Sequence, residues 1–434
     1  MTYHAPEDGL ESATHAAMSS AQSSRIAVAL LTGGGDPHYA FGLAMSLLRG
    51  GGSLDLIGSD EFEVPEFQKR PNLRLLNLRG SLREDVSVVG KTLRILAYYA
   101  KLIIYAAKAK PKVFHILWNS RFQTFDRTLL MLYYRGLGKK VVLTAHNVNA
   151  GRRDGTDGIV NRLTLRMQYR LCSHIFVHTE LMKRELVDEF GVRQSRVTII
   201  PFGINNAVPK TALTSSEARQ RLGLNSGERT ILFFGRITPY KGVEYLISAF
   251  RHVQARSGNY RLILAGKPDK CEDYWKTIRE DIRAEVERGE ILLRDTFIPD
   301  EETEVYMKAA DVLVLPYRHI YQSGVLFLGQ SFGLPVLASD VGSFKDEIVD
   351  GKTGFVFRPE DSLELANAIE KYFASDIYAQ LDEHRGNICA YAAAQHSWET
   401  VSRITMGVYA RLIQLPIASG DRMAASPVLH STQK

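Results

Sequence analysis

Cysteine is scarce: Cys172, Cys271 and Cys389 are the only three in 434 residues, far apart and without a CxxC pair. That excludes a disulfide scaffold, and an odd, sparse set reads as reduced thiols in a cytoplasmic setting. No charge-free apolar run of about 18 residues occurs, so no membrane-spanning helix is expected. The first two dozen residues lack a basic start and an apolar core. They hold Glu7, Asp8 and Glu11 among Ser and Ala, and no secretory leader is expected. Nor is there a strong surplus of one charge. Against 48 acidic residues stand 54 Lys and Arg, a net of +6, too little over this length for a nucleic-acid binder. It suits anionic small molecules or a bilayer surface. Apolar residues at 45% and charged residues at 24% are ordinary globular values, which excludes disorder and collagen.

What is present is a repeated opening. Residues 25–31 form a short apolar run ending in Gly33-Gly34-Gly35, and residues 230–234 form another ending in Gly235. A helix-period stretch follows each, at 39–48 and 243–253. Strand, Gly turn, helix is how a doubly wound parallel sheet begins. Further strand-like runs lie at 113–117, 140–144, 174–178 and 197–200, then at 261–265, 291–293, 311–315 and 335–338. The expected architecture is α/β: two Rossmann-like domains facing each other across a cleft. Residues 25–205 form the first domain, 206–228 a linker and 229–395 the second domain. A helix at 396–415 packs back on the first domain, and 1–24 and 416–434 are tails.

The second half carries the clearer chemistry. Arg236 and Lys241 stand five apart around Pro239 on the loop after a strand, where an open α/β sheet binds ligands. An Arg fork and a Lys point charge there suit phosphate oxygens. A helix starting at Ser323-Gly324 adds free amides, and together these suit a diphosphate. In the first half, Gly33-Gly34-Gly35-Asp36 is not GxGxxG, and the reading places no acid after a second strand to hold a ribose. A nicotinamide cofactor is therefore not expected, although the Gly run allows close backbone approach to a ligand.

The motifs taken together resemble the family-4 glycosyltransferases, retaining enzymes with the GT-B fold, many of them in bacterial exopolysaccharide and glycolipid synthesis. The matching residues are Phe234-Gly235-Arg236, Lys241-Gly242, Ala265-Gly266, Ala309-Ala310-Asp311-Val312, Phe332-Gly333-Leu334-Pro335-Val336 and Thr353-Gly354. Thr144-Ala145-His146-Asn147 and Pro201-Phe202-Gly203 match in the first half, and the likeness runs over about residues 26–415. It implies a nucleotide-diphosphate sugar bound by the second domain and an acceptor held by the first. Arg236 and Lys241 would grip the diphosphate with the amides of Ser323, Gly324 and Val325, and Gly266 would lie at the donor site. His146 would face the transferring sugar, Gly34 and Gly35 would lie near diphosphate and acceptor, and His178 is read as structural. One departure is plain. The two glutamates that most of the family spaces E-x7-E fall here on Ile320 and Leu328.

No Asp-x-Asp in suitable surroundings appears, so transfer without a metal or other cofactor is expected, with a saccharide or polyprenyl- or lipid-linked acceptor. Another GT-B enzyme, such as an epimerase or phosphorylase, and a non-catalytic scaffold are the alternatives. Finally, Arg94, Lys101 and Lys108 recur every seventh residue in a helical stretch at 86–110, with Tyr98, Tyr99 and Tyr105 nearby. This is either a crossover helix or a basic, tyrosine-bearing face for weak contact with an anionic bilayer, placing the enzyme peripherally on the inner membrane.

Overall fold

The computed structural model describes residues 26–68, 70–80, 88–205 and 208–413; the expected tails lie outside them. The first sheet contains β1 (Ala27–Leu31), β2 (Ser53–Gly58), β3 (Leu73–Asn77), β4 (Val113–Ile116), β5 (Lys140–Thr144), β6 (His174–Val177) and β7 (Val197–Ile199). Their order is β3-β2-β1-β4-β5-β6-β7. The second sheet contains β8 (Arg229–Phe234), β9 (Tyr260–Ala265), β10 (Ile291–Arg294), β11 (Val312–Leu315), β12 (Val336–Ser339) and β13 (Gly354–Phe357). Its order is β10-β9-β8-β11-β12-β13. Neighbouring strands are parallel throughout both sheets.

Parallel strands covered on both faces need apolar side chains on both. β1 shows it: Val28 and Leu30 enter one core of the first domain, while Ala29 and Leu31 enter the other. In each sheet the first strand sits inside the order, β1 between β2 and β4 and β8 between β9 and β11. The connections leave those strands in opposite directions, which opens a crevice at their carboxyl ends. Both crevices contribute to the cleft.

Three strands escaped the sequence reading: β2, β3 and β13. Asp55 interrupts the leucines of β2, and Arg74 those of β3. β13 is four residues at a sheet edge. Recognising β2 corrects a further point, because Asp60 and Glu61 do follow the second strand. The stretch read as a linker also differs. Helix Ser215–Arg221 begins with a capping box between Thr214 and Glu217, and Val208, Leu213, Ala218 and Leu224 are buried in the second domain's core. Apolar residues spaced among the Ser and Thr give that stretch a face to bury, so it is part of the domain.

The chain crosses between domains twice. Phe202–Ile204 runs outward and His396–Trp398 runs back, joined by the Ile204 amide donating to the His396 carbonyl at 2.9 Å. Helix Trp398–Leu412 then lies against helix Pro37–Arg49, and Trp398, Val401, Val408 and Tyr409 join the first domain's core.

Helix Val88–Lys108 corrects another expectation. Tyr98 and Tyr99 are buried. The Tyr99 hydroxyl accepts from the Phe122 amide, and the half-buried Tyr105 donates to Asp55 at 2.7 Å. These rings face inward because their hydroxyls find partners there. The face left outside carries Val89, Leu93, Leu96, Ile103 and Ile104, with Lys101 and Lys108 beside them.

Candidate active site in the interdomain cleft

A cavity of about 340 Å³ lies between the domains. From the second domain, β8 delivers the chain to Gly235, whose φ of 98° lies in the left-handed region. A Cβ there would stand 3.1 Å from Val325 and 3.2 Å from the Lys241 Nζ, so only glycine lets these groups close up. The turn Pro239–Lys241 places Lys241 in the cavity wall with only 6% of its surface exposed. Its ammonium lies 5.3 Å from the Tyr317 ring and 5.8 Å from that of Phe233. Burial pushes its pKa down to about 7, with repulsion from Arg236 and Arg153 adding to the effect.

Arg236 takes a different course. Its side chain is 78% exposed, lies off the cavity wall and pairs with Asp269 at 3.3 Å. The structure therefore does not bring the two loop cations together on one point, because Asp269, in the loop after β9, offers Arg236 a closer anion. The second cation in the wall is Arg153, from helix Ala150–Arg153 of the first domain, stacked 4.7 Å over Tyr240. It lies more than eighty residues from Lys241 in sequence, and no local spacing signalled it.

Ser323, Gly324 and Val325 line the cavity as expected for a helix start. Helix Gly324–Ser331 begins there, and the Ser323 side chain makes no capping bond to its first amides. Those amides and the helix dipole offer partial positive charge beside Lys241. Gly266 is not in the wall; a Cβ on it would strike the Gly235 carbonyl at 2.0 Å, so it keeps two loops in contact. Ile320 and Leu328 do line the cavity, so two apolar side chains occupy the wall where the family pattern has acids. A nearby acid comes from another element. Glu347 accepts from Gln322 at 3.3 Å and lies 3.1 Å from the His396 Nε2, linking the loop before helix Gly324–Ser331 to the interdomain crossing.

In the first domain, the loop Gly33–Gly35 is not part of the cavity wall. Gly34 packs against the Arg79 guanidinium and Gly35 against the Trp118 ring. Asp36 caps helix Pro37–Arg49, accepting from the His38 amide at 2.9 Å and the Tyr39 amide at 3.3 Å. A carboxylate already holds those amides, so that helix start is closed to a phosphate. Arg79, whose Nη1 is buried without a partner, gave no local signal.

His146, expected to face the transferring sugar, stands instead behind the wall formed by Tyr39, because its ring is taken up in a buried aromatic cluster. Its ring stacks on Trp118 at 4.1 Å and meets the edge of Tyr39 at 4.6 Å. Burial lowers its pKa and holds that of His178 near 4, so both rings are neutral. Their tautomers follow from the hydrogen bonds. His178 Nδ1–H donates to the Ile200 carbonyl at 3.2 Å, which leaves its Nε2 to accept from His146 Nδ1–H at 3.2 Å. The His146 Nε2 is then an unprotonated acceptor, buried and without a partner. His178 sets that tautomer.

Comparison with known proteins agrees with this fold. A family profile described as Glycosyltransferase Family 4 matches residues 33–208, and one described as Glycosyl transferases group 1 matches residues 228–375. The chain carries both halves of a GT-B glycosyltransferase. It is 28% identical over 249 residues to a D-inositol 3-phosphate glycosyltransferase of Acidothermus cellulolyticus, covering 56% of this chain and 54%, about half, of that protein. In structure, this GT-B chain resembles sucrose-phosphate synthase of Thermosynechococcus elongatus, with a TM-score of 0.71 at 20% identity over 90% of this chain and 100% of the other. It also resembles Anabaena HepE in complex with UDP-glucose, with a TM-score of 0.68 at 17% identity over 90% and 100%. Among the described residues, no helix is long and apolar enough to cross a membrane.

Proposed function

We propose that this GT-B chain transfers a sugar from a nucleotide-diphosphate donor to a saccharide or lipid-linked acceptor, with retention and without a metal. Its setting would be the cytoplasm, in exopolysaccharide or glycolipid assembly. The observation that carries the reading is the buried Lys241 ammonium beside the uncapped start of helix Gly324–Ser331, in a cavity between two Rossmann-like domains. The HepE structure with UDP-glucose supports a uridine donor, without fixing the sugar.

Cleaving the bond from anomeric carbon to phosphate sends its electron pair to the diphosphate and leaves cationic character on the sugar. Lys241, Arg153 and the first-turn amides stabilise that leaving group, and Arg236 joins them by exchanging Asp269 for phosphate. Groups already oriented toward developing charge contribute about 2.7–4 kcal/mol each in comparable sites. This is why no metal is required. The acceptor hydroxyl forms the new glycosidic bond on the same face and passes its proton to the departing phosphate oxygen. A hydroxyl of the sugar reaches His146 Nε2 only when the Tyr39 ring, which covers it, moves aside.

The test is incubation with uridine, guanosine and adenosine diphosphate sugars, following release of nucleoside diphosphate. A thermal-shift series with the free diphosphates identifies the base, since a bound ligand stabilises by RT ln(1 + [L]/Kd). Release and stabilisation with one base support the reading; neither with any base overturns it.

A further inference from the structure

Exposed aliphatic side chains are not spread evenly over the molecule. Of the fifteen large hydrophobic residues exposed among the described residues, twelve fall between Val89 and Leu163 in the first domain. On helix Val88–Lys108, Val89, Leu93 and Leu96 recur every three or four residues, the adjacent Ile103 and Ile104 follow after a seven-residue step, and Leu93 is 61% exposed. Ala100 bridges the gap in the stripe. Helix Leu129–Gly136 adds Leu129 and Leu132, and helix Ile159–Leu171 adds Ile159, Val160 and Leu163, with Ile159 at 79%. The three helices are neighbours. Tyr133 donates to the Ile103 carbonyl at 3.0 Å, and Arg127, just before the second helix, donates to Asn161 of the third at 2.8 Å.

The same stretch is strongly basic. Residues 88–171 hold sixteen Lys and Arg against three Asp and Glu, a surplus of 13, so the rest of the chain is net −7 when the whole is +6. One of the three acids, Asp126, is buried. Lys101 and Lys108 are exposed and lie roughly 110° round the helix from the aliphatic stripe. Arg162, Arg166 and Arg170 are exposed on the third helix.

We propose that this three-helix face docks on an anionic lipid bilayer, its aliphatic side chains entering the headgroup boundary and its Lys and Arg meeting lipid phosphates. An aliphatic stripe framed by cations on helices lying side by side suits a surface that is apolar beneath and anionic above. A second copy of the chain is the poorer occupant, because a twofold contact would set this basic face against itself. Nucleic acid would leave the aliphatic stripe unused. The docked face is close in sequence to the cleft: five residues separate Arg153, in the cavity wall, from Ile159. An acceptor anchored in the membrane would thus be presented near the donor.

The experiment is co-sedimentation of the full chain with vesicles of phosphatidylglycerol and phosphatidylcholine in equal parts, and with phosphatidylcholine alone. The chain should pellet with the mixed vesicles only, and less so in high salt. Leu93→Gln, Leu96→Gln and Ile104→Gln combined keep the charge and alter only exposed positions. This variant should partition at least about tenfold less, with circular dichroism and thermal melting as for the parent. Lys101→Gln with Lys108→Gln should also weaken binding, and chiefly at low salt. A parent chain that stays in the supernatant overturns the proposal, as does a triple variant that pellets as well as the parent. A concentration-dependent dimer lost in the triple variant, without vesicle binding, assigns the face to a second copy instead. No nucleotide or acceptor is present, so failure here leaves the proposed transfer untouched.

Discussion

Lys241 is where burial and function act on the same proton. With its pKa held near 7 in the empty cleft, the side chain is half neutral at neutral pH, whereas an exposed lysine titrates at about 10.4. A diphosphate favours the ammonium, so binding takes up a proton wherever the empty site has lost one. The sign follows: nucleoside diphosphate affinity is greatest below pH 7 and falls by up to about tenfold per unit above it, until the pKa of the occupied site is reached. Titration calorimetry in buffers of different ionisation enthalpy checks this, with Lys241→Gln expected to bind weakly and to show a flat profile across the same range. Strong pH dependence surviving in that variant would assign the proton elsewhere. His146 separates differently. Its free Nε2 acceptor belongs to the first domain, so His146→Ala should cut turnover by about 10²–10³ while nucleoside diphosphate affinity stays within a few-fold. Loss of affinity with normal turnover at saturation would place the ring at the nucleotide rather than the sugar.

At the scale of elements, the segments legible in the sequence were those whose pattern is local. β5 was readable to the residue because Lys140-Val-Val-Leu-Thr is apolar on both faces of a covered sheet. The start of helix Gly324–Ser331 was readable from the glycine after Ser323. β2 and β3 were not, because their polar residues serve partners distant in sequence: Asp55 on β2 holds Arg74 of β3 and accepts from Tyr105. The site divides in the same way. Lys241 and Ser323 could be found from loop and helix signals, whereas Arg153 reaches the cavity wall, and Glu347 reaches Gln322, only through tertiary packing. Tyr321 is of the second kind. It directly precedes Gln322-Ser323 yet is buried in the first domain's core, where its hydroxyl donates to Glu185 at 2.6 Å. It thereby fastens the loop before helix Gly324–Ser331 to the opposite domain. Tyr321→Phe keeps the packing and removes the hydrogen bond, leaving Glu185 with Arg152 as its remaining partner. The expected cost is about 1–3 kcal/mol. Urea unfolding reads that loss, and Glu185→Gln should recover part of it by removing the buried charge.

The whole molecule is built so that helix Trp398–Leu412, the last among the described residues, belongs to the first domain. Trp398 makes that attachment. Its indole N–H donates to the Ile204 carbonyl at 2.8 Å, and its ring fills the space that Gly42 and Gly203 leave open. A Cβ at either glycine would stand 2.3 Å from that ring, so a small residue on each of two elements is matched to one large side chain arriving almost two hundred residues later. Among the described residues, the second domain's core, by contrast, ends at Ile377 with Tyr378 packed against it. Trp398→Ala should therefore destabilise the domains unequally. The expected loss is about 3–5 kcal/mol for the first domain, the usual range for emptying a buried aromatic site, with little change in the second. Because a nucleoside diphosphate is expected to bind mainly the second domain, adding it should raise the second unfolding transition of this variant while the first stays low. Differential scanning calorimetry resolves the two. If both transitions fall together, the crossing segments couple the domains into one cooperative unit and Trp398 supports the whole; if neither moves, the helix Trp398–Leu412 is held by Val401, Val408 and Tyr409 without it.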